Sequence, residues 1–385
     1  MRCLILLFCL FALAASYYMP RAVYNYPYRA FGEMETDGSP KSWPRYDKKA
    51  SDFLAVKRFK ASGFKPSIEA SRMVDSPLSK RPTSLNRYRT KGVNLEHTHR
   101  FVNKTLARRV NDIVIEFQDE KRGNDLTKMT AFTENQQFGR NRYTDVGCLD
   151  ESRVPLTLGP VNYIHANYVN GHKVPKKFIC TQAPVDKTIQ DFWHMIVQEK
   201  CKFILMLCNF KEQGLDKCTQ YFPKTVTKAL DFGGISVNAL KIGKQKLSCP
   251  TKTIIVRREL SIIVPGQRPH RCTHLWWSGW PDRGVPQKTL VVIHCSAEIG
   301  RTDSIVLVDL LLKLLRDGTP WDETLVKYQR FNSIQTVHQY LYVHQVMLNY
   351  VLNYHKLGEK VPRMAMTMER FTADYTNYCN GFQTV

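Results

Sequence analysis

Cys295 and Arg301 stand with five residues between them in the stretch VVIHCSAEIGRTDSIV, flanked by His294 and Thr302. Cys-x5-Arg on its own is a chance match in a chain with 11 cysteines, so its surroundings must carry the reading. The β-branched run before His294 predicts a strand, Gly300 permits a tight turn, and a helix is expected from Thr302. A strand, short loop and helix in that order form an anion cradle. The amides of Ser296, Ala297, Glu298, Ile299 and Gly300 would converge on an oxyanion, and the helix N-terminus would add partial positive charge. In such surroundings the Cys295 thiolate is favoured as a nucleophile. Arg301 can hold two phosphate oxygens at once, and Thr302 can donate to the sulfur as it leaves.

A thiolate expels an alkoxide or phenoxide poorly without a proton donor. Asp282, in WWSGWPDRGVP, offers a carboxyl on a loop hinged by glycine and proline, and with the cradle it reads as the general acid. Against this chemistry stand Glu298 inside the loop and Asp303 just beyond it. A carboxylate about 6 Å from a phosphate charge, at an effective dielectric of about 20, opposes binding by roughly 3 kcal/mol before screening.

These residues need a scaffold. Apolar positions recur at helical spacing over Phe101–Phe117, 187–200, 302–318 and 336–355, while 203–207, 260–264 and 273–278 read as strands. Alternation of the two predicts one α/β domain over 91–360. Residues 17–90 read as a basic, low-order tail, and 361–385 as a C-terminal tail without clear periodicity.

The net charge of +22 suits an anionic partner, and the basic tail gives a membrane surface something to attract. No stretch interleaves aromatic and basic residues as nucleic-acid modules do, so nucleic acid is not expected as a partner. The cysteines include no Cys-x-x-Cys and no paired spacing with histidine, so neither a metal site nor a disulfide framework is expected. Residues 1–16 resemble a secretory leader. A low-pKa thiolate and reduced cysteines fit the cytoplasm instead. A cleaved leader and a misfused first exon both accommodate that start.

At this point the chain resembles the protein-tyrosine phosphatase domain family, most of all its expanded nematode members, from about Phe101 to His355. GRNRYTDV resembles the phosphotyrosine-recognition loop, which implies that Tyr143 stacks on the substrate ring and Asp145 accepts from the substrate backbone. NYIHANYVNG, FICTQAP and DFWHMI resemble the structural motifs that follow. NFKEQGLDKCTQYFP resembles the loop whose Glu212 and Lys217 support the arginine and the acid loop. SIQTVHQY resembles the glutamine loop, with Gln335 placing the hydrolytic water and Gln339 assisting. The resemblance implies a twisted mixed sheet flanked by helices, phosphotyrosine proteins as partners and no cofactor.

The family usually has glycine at the positions of Glu298 and Asp303, and about twenty more residues between Asp282 and Cys295. Two functions remain open on the sequence. One is a tyrosine phosphatase of reduced turnover acting through a cysteinyl-phosphate; the other is a pseudophosphatase that binds phosphotyrosine.

Overall fold

The computed structural model describes residues 95–381 apart from 120–122, 124, 213, 246–253, 279–290, 319–332 and 355–361. The leader-like segment, the basic tail and Asp282 lie outside the described residues. No helix among the described residues is long and apolar enough to cross a membrane.

The helical periodicity near the start resolves into two helices, α1 (Leu95–Ala107) and α2 (Val110–Asp119). The break falls where the Arg109 amide donates to Asp112 Oδ2 at 2.8 Å, half of a capping box that starts α2. Phe101, Val102, Leu106, Val110, Ile113, Val114 and Phe117 turn inward from these two helices.

An eight-stranded sheet forms the centre, in the order β1 (Ala166–Gly171), β2 (Val174–Thr181), β10 (Val291–His294), β3 (Phe203–Met206), β9 (His270–Ser278), β8 (Ile254–Ile263), β7 (Ile235–Gln245) and β6 (Leu230–Phe232). β10 pairs parallel with both β2 and β3, and β3 pairs parallel with β9; the remaining neighbours are antiparallel. This is the twisted mixed sheet that the resemblance implies. Parallel strands at the middle of a sheet are covered on both faces, which explains why β10 is a continuous apolar run before its histidine.

Successive residues therefore serve opposite layers. Ile179, Ile204 and Val292 pack with α4 (Ile189–Gln198), while Phe178, Leu205 and Ile293 pack with α5 (Arg301–Asp317) and α6 (Val337–Asn349). α5 ends at Gly318 with φ of 70°, whose amide donates to Leu314 O. That is the left-handed position at which glycine ends a helix.

The C-terminal segment differs from the expectation. α7 (Pro362–Gly381) is a helix, and Met368, Phe371, Tyr375 and Cys379 join the core along one narrow stripe. With one buried side chain per turn over much of its length, this stripe is thinner than the apolar face by which surface helices are usually recognised. The hairpin of β6 and β7 was also missed, although Gly233 and Gly234, with φ of 62° and 90°, are the residues that a two-residue turn requires.

β9 and β10 run in the same direction with β3 between them. Thr273 is level with Phe203, and Phe203 with Val291, so Ser278 lies five residues past that level. At about 3.3 Å per residue and about 4.8 Å per strand, roughly 19 Å separates Ser278 from Val291. Residues 279–290 are long enough to cover that distance, and at twelve residues they are at the lower limit of what a parallel crossover usually takes.

Candidate active site

The nucleophile candidate sits where the central strand stops. Cys295 follows β10 directly and is 3% exposed. The loop behind it closes onto Gly300, the residue before α5, so the first amides of a seventeen-residue helix face the loop. On the next strand the Leu207 amide donates to His294 O at 2.9 Å, and the Ala183 amide donates to Ser296 O at 3.1 Å. The loop's carbonyls are thus tied outward to neighbouring strands.

His294 is fixed at both ring nitrogens. Its Nε2 lies 2.6 Å from the Tyr221 hydroxyl and its Nδ1 3.2 Å from Cys295 O. Tyr221 also meets His274 Nε2 at 2.9 Å. Burial, helped by Arg258 and His294, holds His274 well below the usual histidine range. Tyr221 has one proton to give, so one of the two imidazoles must donate to it.

Arg301 is held by Glu212 through two parallel contacts, Nη1 to Oε1 at 2.7 Å and Nη2 to Oε2 at 2.8 Å. Glu212 stands on β4 (Lys211–Glu212), paired antiparallel with β5 (Leu215–Asp216), and the Asn209 amide donates to its Oε1. Burial pushes the Glu212 carboxyl up, but the guanidinium outweighs it and holds the group below its ordinary range. Glu212 in turn keeps the Arg301 proton firmly in place despite burial. The fork is therefore oriented before any anion arrives.

Tyr143 meets the loop from the other side: its hydroxyl lies 2.8 Å from Ser296 Oγ and accepts from Lys217 Nζ at 3.4 Å. Lys217 is thus at the pocket wall; its expected contact with the acid loop concerns residues outside those described. The wall is anchored by Arg142, which donates to Ala183 O at 3.1 Å and Pro184 O at 2.7 Å, and whose amide donates to Gln182 Oε1 at 2.8 Å. Sequence reasoning gave Arg142 no role, although it sits next to Tyr143. Asp145 is half-buried, and burial raises its carboxyl above the usual range.

Gln335 and Gln339 both reach the loop. A Cβ added at Gly300 would lie 2.9 Å from Gln335 Oε1 and 2.8 Å from Gln339 Nε2, so a side chain there would displace the ends of both glutamines. Gln339 also closes a capping box with Thr336 at the start of α6. Thr302 is fully buried, and its Oγ1 makes no hydrogen bond among the described residues.

Neither unexpected carboxylate is exposed. Glu298 and Asp303 are both 0% exposed. Glu298 adopts φ of 65°, a left-handed conformation that costs a residue with Cβ of order 1–2 kcal/mol. Its Oε1 lies 3.0 Å from His165 Nε2. The Glu298 carboxylate is thus sealed from solvent, at ion-pair distance from a buried imidazole.

Cys208, Cys218 and His294 bring their ligand atoms within 4.8 Å of one another, a grouping that sequence spacing did not suggest. Both nitrogens of His294 are already engaged, and burial pushes the Cys208 thiol far up, so the donor set suits packing rather than a metal ion.

The family model described as protein-tyrosine phosphatase matches residues 137–291 and 287–349, more than half of the chain. The chain belongs to the protein-tyrosine phosphatase family. The match is in two pieces that meet just before β10, where the connection from Asp282 is short. A Lar-like tyrosine-protein phosphatase of Caenorhabditis elegans is 34% identical over 239 residues, covering 55% of this chain and 10% of that protein. The human non-receptor type 9 phosphatase is 31% identical over 285 residues, covering 63% of this chain and 47% of that protein. The chain therefore spans less than half the length of these relatives. Among solved structures, the catalytic domain of human non-receptor type 18 phosphatase matches with a TM-score of 0.53 and 25% identity, over 66% of this chain and 99% of that one.

Proposed function

We propose that the protein hydrolyses phosphotyrosine in proteins, slowly, through a cysteinyl-phosphate. The observation that carries this reading is the doubly bonded Arg301–Glu212 pair beside Cys295 at the start of α5, which orients a guanidinium fork for an oxyanion. In the first step the Cys295 thiolate forms a bond to phosphorus, the tyrosyl oxygen leaves, and Asp282 gives that oxygen a proton. In the second, water placed by Gln335 attacks phosphorus, the sulfur leaves as thiolate, and Asp282 takes the water's proton. Thr302 and Gln339 assist, and Tyr143 and Asp145 hold the phosphotyrosine ring and its peptide backbone. No metal or organic cofactor takes part. A related phosphatase has been solved with phosphopeptides, which favours phosphoproteins as the substrate class.

Reduced turnover follows from the short connection. Only twelve residues separate Asp282 from Cys295, near the lower limit for a crossover between parallel strands, so the acid loop has less supporting chain than the family usually provides. The same observation favours a second reading, a phosphotyrosine-binding module without turnover. Cys201, Cys208, Cys218, Cys272, Cys295 and Cys379 are buried free thiols, which favours a reducing compartment, the cytosol, over secretion.

Phosphate release from a phosphotyrosyl peptide by the full chain, with Cys295→Ser and Asp282→Ala alongside, tests the reading. The parent should turn over, Cys295→Ser should bind without turnover, and Asp282→Ala should slow the first step by roughly 10² to 10⁴. Binding without release by the parent would establish the module instead; neither binding nor release would remove both readings.

A further inference from the structure

The loop's least expected residue has a partner 133 positions earlier. Glu298 Oε1 and His165 Nε2 are 3.0 Å apart, with side chains 0% and 1% exposed. His165 immediately precedes β1, and its carbonyl accepts from Thr181 Oγ1 at 2.8 Å, which fixes the backbone that carries the ring. Its other nitrogen, Nδ1, faces Asn141 Oδ1 at 3.3 Å, and Phe132 packs edge-on against it. The Asn141 amide is itself fixed: Nδ2 donates to Phe132 O at 3.0 Å, and Oδ1 accepts from the Tyr163 hydroxyl at 2.6 Å. Burial, together with the charges of Cys148 and Glu298, keeps that hydroxyl protonated. Both ring nitrogens of His165 therefore look at oxygens. A buried carboxylate needs such a partner within ion-pair distance, because a buried charge without one is costly.

We propose that His165 is a positioning residue of the phosphate cradle: it holds the Glu298 carboxylate at ion-pair distance, so that a loop with glutamate at a left-handed position still accepts an oxyanion. This rests on the reading of the loop as a phosphate cradle. The chain of contacts has a second consequence. Asn141 lies two residues before Tyr143, so the pair ties the cradle loop to the segment that carries the pocket wall. Without His165 the carboxylate has two outcomes, both harmful. It stays buried without a counter-charge, or it rotates toward the loop amides meant for phosphate.

The test is tungstate affinity, measured by titration calorimetry on the full chain, with thermal unfolding recorded for each variant. His165→Met, close in size and unable to donate, should weaken tungstate roughly tenfold to a hundredfold. His165→Gln, whose amide can still donate, should recover to within about fivefold of the parent. Glu298→Gln should bind tungstate more tightly, and adding His165→Met to it should change the affinity by less than about threefold. A His165→Met protein that folds only when Glu298→Gln is also present reports the same coupling. Equal losses in both backgrounds, no loss in either, or failure to fold in both overturn the proposal. If the parent binds no tungstate, the cradle reading itself fails and the proposal falls with it; if the parent binds and the cycle is additive, only the proposal falls.

Discussion

Two glutamates flank the same loop and are used in opposite ways. Glu212 grips Arg301 in a partly open position and improves the site by charge, because the guanidinium it orients is the group that must meet phosphate. Glu298 is sealed from solvent against His165, and on the proposal above that partner is what lets the loop accept an anion. The lesson is that a carboxylate's effect on an anion site depends on what it faces more than on how near in sequence it stands.

The largest effect should come from breaking the Glu212 side at its other end. Arg301→Lys keeps the charge but loses the fork, and kcat/KM should fall by roughly two to three decades, the cost of a lost oxyanion donor. A fall of less than tenfold would mean that the paired contacts to Glu212 have no bearing on the chemistry. Next, Glu212→Gln should lower kcat/KM by roughly tenfold, since about 1.4 kcal/mol separates a charge-assisted from a neutral hydrogen-bonded pair and corresponds to one decade. A drop seen only in thermal stability would reduce Glu212 to a structural role.

How much of this could be read from the sequence depends on how local the pattern was. Cys295, Gly300 and Arg301 lie within seven residues, and strand, turn and helix signals bracket them. Glu212, Tyr143 and Gln335 were found only because their motifs resemble a family. The His165–Glu298 pair carries no local signal, because sheet register brings the start of β1 to the loop after β10 through β2. Cys208 reaches His294 for the same reason, through the register of β3 with β10. α7 was missed because one buried side chain per turn is a weak periodicity among polar neighbours. Asp282 has a legible motif, and its position lies outside the described residues.

A third carboxylate sharpens the contrast by a smaller amount. Burial raises Asp145, so it takes up a proton at a higher pH than an ordinary aspartate. If it accepts from the peptide backbone, phosphopeptide affinity should drop several-fold on acidification while tungstate affinity follows a different course, and Asp145→Asn should remove the difference. Parallel pH profiles for peptide and tungstate would remove Asp145 from substrate binding. The smallest effect concerns stability. The Glu212 carboxyl is depressed in the folded chain, so its contribution is complete above its unfolded value of about 4.5 and is lost as pH falls through the lower folded value. Thermal midpoints of the parent and Glu212→Gln should therefore converge on the acid side, by a few degrees at most; a constant gap across that window would contradict the assignment.

The position of β10 also sets an order of events in time. β2 ends 110 residues before it and β3 ends 85 residues before it, yet they do not pair with each other; each pairs with β10. While the chain is being synthesised, both of those strands present an open edge that waits for a segment made much later. Such edges invite wrong pairing, and long-range parallel pairing is slow to form. The strand that finally fills the gap is the one that carries Cys295 at its end. Sheet closure and delivery of the nucleophile are therefore a single folding event, and a chain halted before β10 has neither.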